Sequence, residues 1–320
     1  HELGKMNVLA VHVTLIPEVA NGELKTKPTQ HSVKELREIG IQPDILLCRA
    51  PVALPDDLRR KIALFTNVEN EAVISAYDVS STLYEIPLVY HRQGLDSTAL
   101  KLLNVESRDA ELSGWQHVVQ VVTGSDCTVR IAVVGKYIEL SDTYKSVDEA
   151  LFHGGIANEC RVELVKIDSE RLEKTENSLD AVFTGIDGIL VPGGFGGRGV
   201  RGMIMAANYA RTHEIPYLGI CLGLQVMVIE FSRHVLGFEE ADSTEFNPEG
   251  PHPVVSLLEE QVDVKNYGGT MRLGASRSRL LPDTRIREVY GREIVEERHR
   301  HRYEVSNVYR QQLNEAGFIT

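Results

Sequence analysis

The segment Tyr217–Ile220 reads as a strand, and a helix-like run leaves it at once, from Leu222 to about Phe231. A chain that turns from strand to helix within two residues places them in adjacent layers, as α/β folds do. The corner is Gly219-Ile220-Cys221-Leu222-Gly223-Leu224-Gln225. Its two glycines let a strained turn pass close to neighbouring backbone. This is the spacing of the G-x-S-x-G nucleophile elbow, with sulfur in place of oxygen. The new helix offers unpaired amides and a positive dipole end, which favour the reactive thiolate. An arbitrary cysteine is more often a buried structural one, by roughly four to one. The flanking glycines and the strand-to-helix switch reverse those odds for Cys221. A second loop, Pro192-Gly193-Gly194-Phe195-Gly196, follows the strand Asp187–Val191 and presents bare amides. Beside Cys221, the amides of Gly194 and Leu222 can form an oxyanion hole. Alone, the loop could equally hold a phosphate or simply permit a turn.

Strands and helices alternate on both sides of this corner, which implies parallel sheets covered by helices. In the first half, strands are expected at Val8–Leu15, Asp44–Cys48 and Ala72–Ala76. Ser32-Val33-Lys34-Glu35 has the form of a capping box, with Gly40 as a C-cap. Pro55 suits the first turn of a helix whose face carries Leu58, Ile62 and Phe65. Residues 103–126 turn polar and are expected to be a linker. A second set follows: a strand at Thr128–Val134, a helix near Thr143–Ile156, a strand at Val162–Ile167 and a helix near Val200–Thr212. Beyond Phe246 antiparallel strands are expected. The net charge of −12 argues against nucleic acid polymers and anionic membranes. No apolar run reaches the roughly 18 to 20 residues of a membrane span, and no signal peptide opens the chain. Cys48, Cys127, Cys160 and Cys221 lie far apart without a C-x-x-C pair, so neither a zinc site nor a disulfide framework is expected, and a reducing cytoplasm is the simplest compartment.

The cysteine corner and the glycine loop resemble the class I glutamine amidotransferase domain, which hydrolyses glutamine through a cysteinyl acyl intermediate. Further stretches are similar to the CTP synthase family. They are Gly22–Ser32, Gly135-Lys136-Tyr137-Ile138-Glu139-Leu140, Asp242-Ser243-Thr244-Glu245-Phe246, Gly268–Gly274 and Glu297–Glu304. The resemblance implies an α/β protein of two three-layer domains. Residues 1–103 are the C-terminal part of a P-loop-like synthetase (amidoligase) domain, and 104–126 a linker. Residues 127–320 are a flavodoxin-like amidotransferase domain without its C-terminal end.

The family makes CTP from UTP, ATP and glutamine-derived ammonia, with GTP as allosteric activator, CTP as feedback inhibitor, and a homotetramer as its assembly. By resemblance, Cys221 is the nucleophile. Gly194, Leu222, Gly223, Leu224, Gln225, Glu245 and Arg302 bind glutamine. Lys25, Thr26, Lys27, Pro28, Thr29, Gln30 and Lys61 bind UTP or CTP. Lys25 and Lys27, two apart on an extended chain, can meet one triphosphate; two solvated surface lysines are otherwise about three times as common. Tyr77, Asp78 and Val79 fall on an ATP-contacting segment, where Tyr77 departs from the family's usual lysine. Phe195, Arg198 and Arg201 fall on a lid that meets GTP, with Gly197 where an aromatic is common.

The family's P-loop and Mg²⁺ carboxylates are expected to precede His1, and its His-Pro-Glu general base to follow Thr320. No G-x-x-x-x-G-K-[ST] loop occurs in the sequence, and no metal ligands are expected within it. His252-Pro253-Val254 lacks the carboxylate, and His299 and His301 are expected to be structural or substrate-adjacent, not the base. The chain shown is therefore expected to be inactive alone. Two other readings stay open: a glutaminase serving another synthetase, and a non-catalytic assembly or regulatory segment.

Overall fold

The computed structural model describes residues 4, 7–106, 108–138, 142–174, 178–257 and 272–320. The chain divides into two units, His1–Asp126 and Cys127–Thr320. In the first, apolar runs form β1 (Val11–Leu15), β2 (Ile45–Ala50) and β3 (Val73–Tyr77). They are parallel and lie in that order. The crossovers are α1 (Lys27–Glu38) and α2 (Asp56–Thr66). Val33 of α1 and Ile62 of α2 seat them on a core with Ile45, Leu46 and Ile74, each such buried side chain contributing about 1.5–3 kcal/mol.

Some local signals in this unit hold and others give way to tertiary contacts. Ser32 is not a helix start: α1 begins five residues earlier, with Pro28 in its first turn, and the Ser32 hydroxyl meets His12 Nε2 at 2.8 Å from mid-helix. Pro tolerates the first turn because its missing amide had no partner to lose. Gly40 does end the helix, at φ 87°, as the Ile41 amide closes on Leu36 O. Phe65 is 56% exposed, because Ile62, Ala63 and Thr66 occupy the buried face of α2. After α3 (Ile86–Arg92) and α4 (Leu95–Leu102), the stretch expected to be a linker carries a third helix, α5 (Ser113–Gly124). Its glycines stand at its ends, where they do not interrupt it. Val121 is buried, and Trp115 stacks on Tyr84 at 6.2 Å between ring centroids.

In the second unit the order along the chain is β4 (Thr128–Gly135), α6 (Lys145–Ala157), β5 (Arg161–Asp168), α7 (Ser169–Glu173) and α8 (Leu179–Phe183). Then come β6 (Gly188–Val191), α9 (Val200–Thr212), β7 (Tyr217–Gly219) and α10 (Leu222–His234). The four strands form a parallel sheet in the order β5-β4-β6-β7, the flavodoxin-like doubly wound arrangement. Met203 of α9 and Leu222, Val226 and Ile229 of α10 are fully buried against it. The buried carboxylate of Glu230 accepts from Arg211 and Asn208, tying α10 to α9.

The chain continues through β8 (Ala241–Ser243), β9 (His252–Leu257), β10 (Arg272–Arg279), α11 (Arg285–Tyr290), β11 (Ile294–His301), β12 (Tyr303–Val305) and α12 (Arg310–Glu315). The pairs β9–β12 and β10–β11 are antiparallel as expected, whereas β8–β9 is parallel.

Cys127 and Cys160 form a disulfide, contrary to the sequence expectation. Pairing of β4 with β5 brings these distant cysteines together, one residue ahead of each strand, where the Arg161 amide donates to Cys127 O at 2.9 Å. The cysteine argument for a reducing compartment therefore falls away. Among the described residues no helix is long and apolar enough to cross a membrane.

Candidate active site

Three strand ends build the site: β4 ends at Gly135, just before Lys136, β6 at Val191, just before Pro192-Gly193-Gly194, and β7 at Gly219. All lie at the carboxyl edge of one parallel sheet, where open α/β sheets place their ligands. Cys221 caps α10 with φ 57° and ψ −107°, a conformation that costs a residue with a β-carbon about 1–3 kcal/mol. The surroundings enforce it. The Ile220 amide donates to Val191 O at 3.0 Å, the Gly223 amide to Ile220 O at 3.0 Å and the Gln225 amide to Cys221 O at 3.2 Å. The Tyr217 hydroxyl donates to Gly223 O at 2.9 Å. A β-carbon on Gly219 would overlap the Gly223 backbone, and one on Gly223 the Val191 carbonyl. One on Gly193 would stand 3.3 Å from Cys221 Cβ. The elbow glycines are thus fixed by close approach.

The thiol of Cys221 is half-exposed. Cys48 is the contrasting case, a core thiol that burial pushes up to about 12. Opposite Cys221 the glycine loop is clamped from two sides. The buried Lys136 ammonium donates to Phe195 O at 3.1 Å and to Gly196 O, while the Gly196 amide donates to Glu245 Oε1 at 2.7 Å. Burial lowers the Lys136 pKa, and the Glu245 carboxylate opposes that shift.

His301 stands between Cys221 and Glu304. Its Nδ1 is 3.2 Å from Glu304 Oε1. The hydrogen bond with Cys221, then that with Glu304, push its pKa up to about 9 against the opposing effect of burial. The ring is therefore an imidazolium at neutral pH. It reaches the elbow because the Gln225 side-chain amide donates to Tyr303 O at 2.8 Å, docking β12 on α10.

One small cleft is lined by Gly194, Phe195, Cys221, Gln225, Glu245, His301, Arg302 and Tyr303. It unites Cys221 with four of the residues expected to bind glutamine, Gly194, Gln225, Glu245 and Arg302, and with Phe195 of the expected lid. The side chains of Leu222 and Leu224 are not among its walls. Leu222 is buried in the core and Leu224 faces outward, while Gly223 packs against Val191. Lys136 and Glu304 are absent from the expected site, and His301, expected to be structural or substrate-adjacent, lines the cleft. Their signals are a lysine directly after a strand-ending glycine, and a histidine and a glutamate three apart.

In the first unit a separate cleft gathers Lys25, Thr26, Lys27, Gln30 and Lys61 with Glu23 and His31. The geometry behind it differs from the expected extended chain, since Lys27 opens α1. Thr29 does not line the cleft. Its buried hydroxyl bridges α1 to β1, donating to Leu15 O at 3.2 Å and accepting from Thr14 at 3.0 Å. Pro28 is exposed beside the cleft, outside its walls. Lys25 pairs with Glu23 at 2.6 Å. Asp78 pairs with Arg49, flanked by the half-buried Tyr77, the last residue of β3, and Val79. Arg198 pairs with Glu170 at 3.1 Å and covers the Tyr137 ring, whereas Arg201 is exposed. Glu139, Leu140 and Gly268–Met271 lie outside the described residues.

A parallel sheet of this order carrying a cysteine elbow is a class I glutamine amidotransferase fold, and the family model "Glutamine amidotransferase class-I" matches residues 139–320. The family model "CTP synthase N-terminus" matches residues 1–105. The chain belongs to the CTP synthase family. It is 52% identical over 318 residues to the CTP synthases of Syntrophus aciditrophicus and Geobacter sulfurreducens, and 51% over 319 residues to that of Aquifex aeolicus. In each case 99% of this chain is matched, and the chain spans 59% of the relative's length. A solved glutaminase domain of Trypanosoma brucei CTPS with bound acivicin is 45% identical, with a TM-score of 0.54 over 59% of this chain and 72% of that one.

Proposed function

We propose that this chain supplies the glutamine-hydrolysing site and part of the nucleotide-binding surface of a CTP synthase, which aminates UTP to CTP with ammonia released from glutamine. The observation that carries this reading is the forced φ of Cys221 in a cleft shared with Gly194, Glu245 and Arg302. The Cys221 thiolate attacks the glutamine carboxamide carbon. Negative charge moves to the carbonyl oxygen, which the amides of Gly194 and Leu222 stabilise. Collapse of this intermediate expels the amide nitrogen as ammonia once it gains a proton, leaving a thioester. Water then cleaves the thioester to glutamate and restores the thiol. Glu245 suits the substrate's ammonium and Arg302 its carboxylate.

His301, positively charged and steadied by Glu304, places a cation beside the attacking sulfur. Proton delivery to the leaving ammonia belongs, by family resemblance, to the His-Pro-Glu segment. The cleft bearing Lys25, Lys27 and Lys61 suits the triphosphate of UTP, or of CTP as inhibitor. Tyr77, Asp78 and Val79 remain the proposed contacts to ATP. The phenyl ring of Phe195, with Arg198 and Arg201, remains the proposed contact to GTP. Among the described residues the single three-ligand cluster, His299, His301 and Glu304, is nitrogen-rich and does not suit Mg²⁺, so no step is routed through Mg²⁺ and ATP here. Assembly as a homotetramer is carried over from the family and is checked by light scattering.

The test uses acivicin on the chain. Labelling at Cys221, lost in Cys221→Ala and slowed by glutamine, is the expected result. Protection of the Lys25–Gln30 segment from proteolysis by UTP completes it. Labelling that ignores Cys221 overturns the amidotransferase reading, and absence of UTP protection moves the site to a glutaminase serving another synthetase.

A further inference from the structure

The disulfide between Cys127 and Cys160 ties down a thinly packed part of the second unit. It joins the starts of β4 and β5 across a separation of 33 residues and so closes the β4–α6–β5 crossover on itself. That crossover has little core to hold it. Gly155 is the one buried residue of α6, and β5 has none. β5 is also an edge strand, paired with β4 alone, and its Val165 and Ile167 reach the core only in part. Elements with few buried apolar contacts are those that open locally, and a covalent tie across a loop of this length opposes such opening.

The bond is accessible, and its partners are held ready to re-form it. Cys127 is exposed and Cys160 half-buried, so an attacking thiolate can reach the pair. Backbone contacts keep the two residues adjacent without the sulfur–sulfur bond. The Arg161 amide donates to Cys127 O at 2.9 Å, the Cys160 amide donates to Gly155 O at 2.9 Å, and the β4–β5 ladder begins one residue on, at Thr128 and Arg161. Groups held side by side in this way react as though highly concentrated. At its other end β5 leads directly into α7, which braces the chain leaving the glycine loop. Glu170 pairs with Arg198 at 3.1 Å, and Glu173 Oε1 accepts from the Gly202 amide at 3.2 Å. β-Carbons on Gly199 and Gly202 would overlap Ser169.

We propose that the Cys127–Cys160 bond is a reversible redox switch of this crossover. Closed, it holds α7 against the exit of the glycine loop; opened by a dithiol carrier, it frees the crossover and loosens that loop. A thiolate of the carrier attacks the Cys127 sulfur, and Cys160 leaves as a thiolate that takes up a proton. The carrier's second thiol then resolves the mixed disulfide. Two electrons and two protons thereby pass to the chain, and the carrier ends as a disulfide. The lock on the crossover does not depend on the amidotransferase reading; its effect on glutamine chemistry rests on that reading.

The experiment follows amide hydrogen exchange by mass spectrometry in the 320-residue chain, oxidised or reduced with dithiothreitol. Cys48 and Cys221 are free thiols, so the reductant acts on one bond. Reduction should speed exchange in α6 and β5 at least about tenfold. It should also speed exchange at the Gly202 amide, while β2 and β3 of the first unit keep their rates. Oxidised glutathione should restore the slow rates. Acivicin labelling of Cys221, with the dithiothreitol removed, should fall at least about threefold on reduction. Cys127→Ser should match the reduced chain and ignore the dithiol. The proposal is overturned if reduction leaves exchange in α6 and β5 unchanged, or if oxidised glutathione forms no bond. It is equally overturned if Gly202 stays protected while the crossover opens, or if a chain that acivicin labels is labelled as fast when reduced. The reduced, unsubstituted chain decides even if Cys127→Ser does not fold. Failure of acivicin to label the oxidised chain would sink the amidotransferase reading alone, since exchange at Gly202 still reads the switch.

Discussion

Lys136→Met removes an ammonium and keeps the length of its stem, which isolates what the charge does for the glycine loop. In the intact site that ammonium donates to Phe195 O and Gly196 O. A hydrogen bond to a charged group contributes about 1.5–3 kcal/mol. Two considerations shrink the effect on stability. Phe195 and Gly196 are exposed, so water replaces the lost donor on both carbonyls. Burial already disfavours the Lys136 charge, as the lowered pKa records, and Met removes that penalty. The expected net destabilisation is about 1 kcal/mol or less. Chemistry at the loop should suffer far more, because a misplacement of about 1 Å can cost about 10²-fold. Acivicin requires the loop to receive its tetrahedral intermediate, whereas iodoacetamide requires only an accessible thiolate. Acivicin labelling of Cys221 should therefore fall roughly 10- to 100-fold, with iodoacetamide alkylation changed less than about threefold. Urea unfolding supplies the stability control. Equal losses with both reagents would refute the reasoning, since the charge would then act on the thiol and not on the loop.

Glu245→Gln should weaken acivicin labelling by at least about tenfold at fixed reagent, through loss of about 1.5–3 kcal/mol of charge-assisted binding to the ammonium group; unchanged half-saturation removes Glu245 from substrate recognition. Gly223→Ala forces a β-carbon into the Val191 carbonyl and should destabilise the fold by about 1–3 kcal/mol, read as a lower urea midpoint at unchanged slope. The raised pKa of His301, about 9, gives a signed pH dependence. The folded state holds the proton more tightly than the unfolded one, so this stabilisation is complete below about pH 6.5 and is lost as pH rises through about 9. Urea unfolding across that interval should show a decline of up to about 3 kcal/mol that His301→Gln abolishes; parallel curves for the two proteins refute it. Lys61→Met should reduce UTP protection of the Lys25–Gln30 segment, with unprotected proteolysis unchanged.

The parts of the fold that could be read from the chain are those whose cause is local. The Val200–Thr212 helix and the strand and helix around Cys221 were legible because a periodic stripe and two glycines dictate them wherever they occur. The start of α1 was misplaced because Ser32-Val33-Lys34-Glu35 has the local form of a cap, while the real start is set by Thr29 reaching back to β1. The Cys127–Cys160 bond was invisible for a related reason: 33 residues separate the two, and only strand pairing makes them neighbours. In the candidate site, Cys221 and Gly194 carried a motif. Lys136 and His301 lie in family-like stretches without a local mark of their roles, since nothing near them in the chain announces a partner 59 residues away or a thiol at the elbow.

That division has a mechanical reading. Motif residues supply what backbone can supply, a forced turn and bare amides, and these are encoded by glycines in the turn itself. Residues that supply charge come from β4, from the segment after β8 and from the β11–β12 corner, and each arrives only when the tertiary structure is complete. A thiol on a strained elbow without its charged neighbours is an ordinary cysteine in an unusual conformation. Substitutions that loosen the docking of β12 on α10 should therefore act on the nucleophile without touching it. The Gln225 side-chain bond to Tyr303 O is a polar strut of that docking. Gln225→Leu preserves volume and removes the strut. It should leave the Cys221 φ enforced by Gly219 and Gly223 while the β11–β12 corner, with His301 and Arg302, withdraws, so acivicin labelling should fall at least about tenfold while iodoacetamide alkylation changes less. Acivicin labelling equal to that of the unsubstituted chain would show that the corner holds its place by apolar packing alone.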